Sequence, residues 1–273
     1  MHRLAVLGSP IEHSKSPTLH RAAYAQLGLD WQYTAIDLDR PRLPAFLDTR
    51  DESWRGLSLT MPLKQDVLPL LDDVDQVAVQ AGAANTVLFD GPTLRGFNTD
   101  VGGIVRTLGE HGLDSVHRGL LIGGGATAAS ALIAMAQLGA AHVRVLVRRP
   151  GAASPLQALG TSLGLAVDEA PIADLATADG ADLVVSTVPG GTDLGVAASD
   201  ALARHAVLLD AAYDPWPSRL AAPWLATGGT VVHGLGMLLH QALLQVRVFV
   251  NGDQHSPLDD EDAVLAVMRE SLS

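Results

Sequence analysis

Only two lysines, Lys15 and Lys64, stand among sixteen arginines in this chain of 273 residues. Arginine keeps its charge throughout a reaction, whereas a lysine in a partly dehydrated cleft can lose and regain a proton near neutral pH. Lys64 closes the run Ser58-Leu59-Thr60-Met61-Pro62-Leu63-Lys64, just after an apolar segment that reads as a buried strand. An α/β crevice gathers its reactive groups at such places, beyond the carboxyl ends of its strands. Taken alone, Lys64 also suits a surface lysine opening a helix after Pro62. Polar groups recur at other strand ends, however: Asn85-Thr86 begins one apolar run and Asn98-Thr99-Asp100 follows another. Together they could ring a polyhydroxylated ligand. Ser14-Lys15-Ser16-Pro17 lies between a strand and a helix, where Pro17 suits the first helical turn. Both hydroxyls could join backbone donors around a carboxylate, and simple N-capping explains them equally well.

A second constellation points to a dinucleotide. Gly123-Gly124-Gly125-Ala126-Thr127-Ala128 satisfies G-x-G-x-x-A directly after a short β-like run and at the start of a helical pattern. Glycine lets the chain turn sharply and lets backbone N–H groups approach a pyrophosphate, while a small residue at 128 permits close helix packing. A ligand that carried only ribose hydroxyls at its adenosine end would call for a carboxylate at the end of the next strand. That strand, Val143 to Val147, ends instead in Arg148-Arg149. Two fixed cations favour a 2′-phosphate, hence NADP over NAD, unless both are ordinary surface arginines.

These residues need strands and helices in alternation to hold them. Leu4 to Leu7, Gln32 to Ile36 and Gly56 to Leu59 read as strands, with Pro17 to Leu27 as a helix. That order predicts a parallel sheet covered on both faces. Ala84 to Phe89 and Thr93 to Phe97 flank the turn cluster Asp90-Gly91-Pro92 and form an expected hairpin on the same sheet. From Leu120 a second series begins: strand 120–122, helix 126–138, then strands 143–147, 182–186 and 207–210. The expectation is an α/β protein of two domains: an N-terminal, mainly parallel domain over 1–101 completed by 236–273, and a Rossmann-like dinucleotide domain over 102–235. Met237 to Val250 is apolar and helical in spacing, and a short helix is expected from Asp259. Element boundaries across Ala152 to Ala203 are indistinct because Ala, Gly and Asp give little periodic contrast.

Composition narrows the chemistry further. A formal charge of −12 would repel a phosphate backbone, which argues against nucleic acid as a partner. The absence of cysteine removes thiol nucleophiles, disulfides and thiolate metal sites, and the spacing of His13, His20, His233 and His240 suggests no metal site. The apolar stretch from Gly119 to Ala141 has the length of a membrane span but is interrupted by three glycines, so strand, turn and buried helix are expected. Met1 to Pro10 lacks a signal-peptide core, and the cytoplasm is the expected setting, with monomer and symmetric dimer both open.

Gly8-Ser9-Pro10-Ile11-Glu12-His13-Ser14-Lys15-Ser16-Pro17, Thr60-Met61-Pro62-Leu63-Lys64, Gly82-Ala83-Ala84-Asn85-Thr86 and Asn98-Thr99-Asp100 resemble, in order and spacing, the shikimate dehydrogenases. Asp210 to Pro215, with Tyr213, and Gly234 to Gln241 extend the resemblance over nearly the whole chain. It implies a two-domain enzyme interconverting 3-dehydroshikimate and NADPH with shikimate and NADP⁺, on the route to aromatic amino acids. By position it implies Lys64 as proton donor to the developing alkoxide and Asp100 as its partner. Ser14 and Ser16 would hold the ring carboxylate near Tyr213, while Ser58, Thr60, Asn85 and Gln241 would bind hydroxyls or orient the site. Gly234, Gly236 and Met237 would line the nicotinamide, and Gly123 to Ala128 with Arg148 and Arg149 would hold the rest of NADP.

The chain departs from the family pattern in three places. Ser58 stands where members often carry Asn, so a direct substrate bond could be lost or replaced through water. The cofactor strand ends Val147-Arg148-Arg149 where Asn-Arg-Thr is common, and Gly124 and Ala128 lie at variable loop positions. The rivals are a quinate or aminoshikimate dehydrogenase on the same scaffold, a folate-type dehydrogenase and a cofactor-binding module without turnover. Ser16 favours shikimate over quinate, the serine pair with Tyr213 favours a small carboxylate over folate, and intact Lys64 and Asp100 favour turnover.

Overall fold

The computed structural model describes residues 1–272. The chain divides into two compact units, one formed by Met1–Thr99 together with the segment from Leu238 onward, the other by Asp100–Met237. In the first unit the order is β1 (His2–Gly8), α1 (Ser16–Gln26), β2 (Trp31–Asp37), α2 (Leu43–Asp48), β3 (Trp54–Leu59), β4 (Asp73–Val74), α3 (Gln76–Ala81), β5 (Thr86–Asp90) and β6 (Thr93–Phe97). The second unit contains α4 (Asp100–Glu110), β7 (Arg118–Ile122), α5 (Ala126–Gln137), β8 (His142–Val147), α6 (Ser154–Leu163), β9 (Ala166–Pro171), β10 (Leu183–Ser186), α7 (Asp200–His205), β11 (Val207–Asp210), α8 (Ala221–Ala226) and β12 (Thr230–His233). Helix α9 (Gly234–Asn251) carries the chain back to the first unit, which α10 (Glu261–Glu270) completes.

The first sheet runs β2-β1-β3-β5-β6-β4. Its β1 is parallel to β2 and β3, but β5 and β6 are antiparallel, joined through Gly91-Pro92 with Asp90 opposite Thr93. The sheet is thus mainly parallel with the expected hairpin on it, since a two-residue turn joins antiparallel neighbours. Successive side chains on a strand point to opposite faces, and β1 divides its residues accordingly. Leu4 and Val6 join Leu19 and Ala23 of α1, Leu243 and Phe249 of α9, and Met268 of α10. Ala5 and Leu7 face the other way, with Leu43 and Leu47 of α2 and Ala78 of α3. Leu57 and Leu59 lie on that second face, so Ser58 between them is turned toward the α9 side.

The second sheet is parallel throughout, in the order β12-β11-β10-β7-β8-β9. Counted from β7 as the first strand, this is 6-5-4-1-2-3, the doubly wound order that opens a crevice where the winding reverses, between β7 and β10. Leu120, Ile122, Val184 and Leu208 are buried with Leu202 of α7 and Trp224 of α8. Leu121, Val145, Val185 and Leu209, in the opposite phase, are fully buried as well. Such two-sided burial explains why these strands read as unbroken apolar runs. The stretch Gly119 to Ala141 resolves into β7, the glycine loop and α5. Among the described residues no helix is long and apolar enough to cross a membrane.

Sequence periodicity missed β9 and β12, the two-residue β4 and the helices α2, α3, α4, α6, α7 and α8, and it began α9 at Met237 where the helix starts at Gly234. An ion pair ties α9 to the C-terminal segment: Arg247 meets Glu261 with side chains only 7% and 17% exposed, and its Nη1 donates to the Gln254 carbonyl at 3.1 Å. Removing one partner of such a pair leaves a charge with little water around it. Glu261→Ala is expected to cost about 3 kcal/mol, read as a lower urea midpoint at unchanged m-value; a midpoint equal to the wild type would contradict that role.

Candidate functional site

In the first unit, the residues singled out by the sequence gather at the carboxyl end of the parallel strands. Gly8 ends β1, and a Cβ there would lie 2.4 Å from Thr60 Cγ2 and 2.8 Å from the Met61 carbonyl. Only glycine lets the loop after β1 approach the turn after β3 this closely. Two backbone bonds fasten them: Ser9 N–H to the Met61 carbonyl at 3.0 Å, and Thr60 N–H to Leu7 at 2.9 Å. Lys64 is half-buried in a turn, not at a helix start, and its carbonyl accepts from Ala84 N–H at 2.8 Å. That bond sets the lysine segment beside Asn85. Ser16 is buried as the first residue of α1, while Ser14 is half-buried and its Oγ accepts from Ser16 N–H at 3.3 Å. The N-cap of α1 is Lys15, without a side-chain cap bond, so neither serine is the N-cap of α1.

Asn85 is 1% exposed and bonded on both edges of its carboxamide. Its Oδ1 accepts from Thr99 N–H at 2.9 Å and from the Thr86 hydroxyl at 2.9 Å. Its Nδ2 donates to Thr99 Oγ1 at 2.9 Å and to Gln241 Oε1 at 3.3 Å. Gln241 Nε2 in turn donates to the Leu238 carbonyl at 2.8 Å. Gln245, one helical turn beyond Gln241, is a participant that the sequence reading did not single out, and Thr99 entered it only within the run Asn98-Thr99-Asp100. Gln245 Nε2 donates to the Asn85 carbonyl at 3.0 Å and to Thr86 Oγ1 at 3.1 Å. Ser58, expected at the ligand, is buried: its hydroxyl donates to Gln245 Oε1 at 2.8 Å and accepts from the Tyr33 hydroxyl at 2.6 Å.

His20 completes the cluster. Its Nε2 lies 3.2 Å from Gln245 Oε1 and its Nδ1 3.2 Å from the Tyr24 hydroxyl, with the ring stacked on Tyr33 at 4.1 Å. The carboxamide oxygen only accepts, so Nε2 carries the proton and Nδ1 accepts from Tyr24. Burial pushes His20 down to about 3, against the opposing effect of its bond to Gln245. Burial also raises the Tyr33 hydroxyl, so the cluster is neutral.

In the second unit, Gly123, Gly124 and Gly125 link β7 to α5. Gly123 has φ +122°, and a Cβ on it would come within 2.2 Å of Thr187 Oγ1. The N-cap of α5 is Gly125, with no side-chain cap, so the N–H groups of Ala126 and Thr127 are oriented for an anion, while Ala128 N–H is bonded to the Gly125 carbonyl at 3.0 Å. Ala128 is fully buried, as close helix packing requires. Arg148 and Arg149 follow β8 and are exposed. The neighbouring carboxylates are engaged elsewhere: Glu169 accepts from Gly151 and Ala153 N–H, at 2.7 and 2.8 Å, and Asp168 accepts from Arg144 at 2.7 Å. Positive charge is thus what the end of β8 presents, a fit for a phosphate on the ribose.

Asp100 opens α4 and is 3% exposed. Asp210, at the end of β11, is buried, accepts from Ala212 N–H at 3.2 Å and from the Ser218 hydroxyl, and burial raises its carboxyl. Tyr213 follows it, half-buried, its hydroxyl raised by burial and by Asp214. Gly234 and Gly236 lie in the first turn of α9, with Met237 buried beside them.

A family model described as the shikimate dehydrogenase substrate binding domain matches residues 6–87. A shikimate dehydrogenase (NADP(+)) of Syntrophomonas wolfei is 30% identical over 94% of this chain and 91% of its own. One from Rubrobacter xylanophilus is 35% identical over 92% of this chain and 91% of its own. The chain belongs to the shikimate dehydrogenase family. Solved structures of the family agree in fold. That of the Mycobacterium tuberculosis shikimate dehydrogenase has a TM-score of 0.86 and 37% identity, covering 99% of this chain and 100% of that one. A Thermus thermophilus shikimate 5-dehydrogenase in complex with NADP(H) and shikimate has a TM-score of 0.81 and 32% identity, covering 99% and 100%.

The depressed His20 has a stability consequence that can be measured. Its folded pKa of about 3 lies below the ordinary 6.5, so the unfolded chain binds the extra proton between those values. Stability from this group is present above pH 6.5 and is lost as pH falls toward 3. Between about pH 7 and about pH 5 the loss is about 2 kcal/mol. Chemical denaturation at the two pH values should show this share of the loss in the wild type and not in His20→Asn; parallel pH profiles would contradict a buried neutral imidazole.

Proposed function

We propose that this family member works as an NADP-dependent shikimate dehydrogenase, with the ring acid held by the first unit and the dinucleotide by the second. The observation that supports the assignment of roles is the bond from Ala84 N–H to the Lys64 carbonyl, which ties the backbone of the half-buried lysine to the residue before Asn85. Lys64 is the group that delivers a proton to the carbonyl oxygen of 3-dehydroshikimate as that oxygen gains negative charge, and removes it in the reverse direction. Asp100 is its carboxylate partner, orienting the ammonium and a ring hydroxyl. Ser14 and Ser16 hold the ring carboxylate with Tyr213 nearby, and Thr60, Asn85 and Gln241 take hydroxyls or orient the site. Ser58 stands outside this set, because its hydroxyl is committed within the fold.

When bound, NADPH supplies the hydride. The N–H groups of Gly124 to Thr127 would hold its pyrophosphate, with Ala128 giving close helix packing, Arg148 and Arg149 would hold its 2′-phosphate, and Gly234, Gly236 and Met237 would line the nicotinamide. A cytoplasmic setting and a monomer or symmetric dimer belong to the same proposal.

Two substitutions separate the roles. Lys64→Ala should lower kcat for shikimate oxidation by about a thousand-fold, within the range for a lost general acid, while NADPH still binds by fluorescence titration. Retention of more than about a tenth of the wild-type kcat would remove Lys64 from the chemistry. The double change Arg148→Leu, Arg149→Leu should raise KM for NADP⁺ by about a hundred-fold and leave KM for NAD⁺ within about three-fold, as expected for lost charge-assisted bonds to a phosphate. An equal rise for both cofactors would show that the arginines do not read the phosphate.

A further inference from the structure

His20, Tyr24, Tyr33, Ser58 and Gln245 are each at most 2% exposed, and no step of the proposed reaction uses them. Their hydrogen bonds nevertheless have a direction. Gln245 Oε1 receives both the Ser58 hydroxyl and His20 Nε2–H, so the amide nitrogen has to point the other way, onto the Asn85 carbonyl and Thr86 Oγ1. Reversing that amide would bring its N–H groups against the His20 N–H and leave an oxygen facing the Asn85 carbonyl. Thr86, having accepted from Gln245, has its proton for Asn85 Oδ1. With Thr99 N–H on the same oxygen, the donor edge of Asn85 is left for Thr99 Oγ1 and Gln241.

We infer that Gln245 and Ser58 are positioning residues: the chain from Tyr33 through Ser58, Gln245 and Thr86 acts together with Thr99 N–H to fix which edge of the Asn85 carboxamide donates, and Ser58 influences ligand binding only through it. Ser58 has a single proton, and Gln245 holds it at 2.8 Å. Its position on the α9 side of β3, between Leu57 and Leu59, places it under Gln245 and not at the strand end. The inference rests on the reading of Asn85 and Gln241 as ligand-binding groups.

A double-mutant cycle separates action through Gln245 from direct contact. Gln245→Met keeps the length and most of the volume of the side chain and removes its donors; Gln245→Leu is the second version should Met not yield folded protein. Either is expected to raise KM for shikimate about ten-fold, with kcat and KM for NADP⁺ within about two-fold. Ser58→Ala should raise KM for shikimate about three-fold alone and add nothing in the Gln245 background. A Ser58 penalty that persists undiminished in that background, or an unchanged KM in the Gln245 variant, overturns the inference. Crystal structures of the same variants provide a readout independent of turnover. Asn85 rotated or in two orientations is expected, and Asn85 with its bonds to Thr99 and Gln241 intact overturns the inference, whether or not shikimate is turned over.

Discussion

A carboxamide buried at a strand end must find two donors and two acceptors without water, and Asn85 meets that condition by drawing on three separate stretches of chain. Thr86 lies on its own strand, Thr99 at the last residue before the chain leaves the first unit, and Gln241 just after the chain returns. An unfilled buried polar group costs roughly 1–3 kcal/mol, so departure and return are both held to that point. The same requirement explains why β5 starts, β6 ends and α9 re-enters around one side chain. It also explains why polar residues accumulate there in a unit whose β1 and β3 are otherwise apolar.

Strand periodicity then divides the work. On β3 the odd positions Leu57 and Leu59 complete one apolar face, and Ser58 reaches the other, where the neutral cluster of His20, Tyr33 and Gln245 lies. Beyond the end of the strand the turn from Thr60 to Lys64 is free of that alternation and is placed by main-chain bonds to Leu7, Ser9 and Ala84. Backbone contacts thus hold the Thr60–Lys64 turn, and buried side-chain hydrogen bonds hold Ser58, Asn85 and Gln245. In the second unit, the parallel order of the strands leaves the β7–α5 loop and the end of β8 on one side of the sheet, the glycines offering N–H groups and Arg148 and Arg149 offering charge.

Much of this was legible in the residues. Scarcity of lysine drew attention to Lys64, the glycine loop was framed by a strand and a helix, and the Arg pair stood where a carboxylate would otherwise be expected. The apolar β7, β10 and β11 announced themselves because burial on both faces removes the need for alternation. By contrast β9, β12 and α6 were hidden by polar, glycine-rich or short stretches, in which period 2 and period 3.6 leave little contrast. Gln245 was overlooked within the apolar run of α9, although Gln241 and Gln245 are four apart and share a helix face. Two glutamines at that spacing in an otherwise apolar helix were the available signal. Ser58 looked like a ligand contact because sequence gives no view of depth; the partners of its hydroxyl come from residues 25 and 187 positions away.

On the proposed reading, the first unit recognises shikimate and the second selects NADP. The most direct test is the initial rate of nicotinamide reduction by the wild-type protein with shikimate, NADP⁺ and NAD⁺ being compared at equal concentration and quinate run beside shikimate. Rapid reduction of NADP⁺ with shikimate is expected, with a kcat/KM at least about a hundred-fold above that for NAD⁺ and above that for quinate. Folded protein that reduces neither cofactor with shikimate, or that prefers NAD⁺ or quinate, would contradict it.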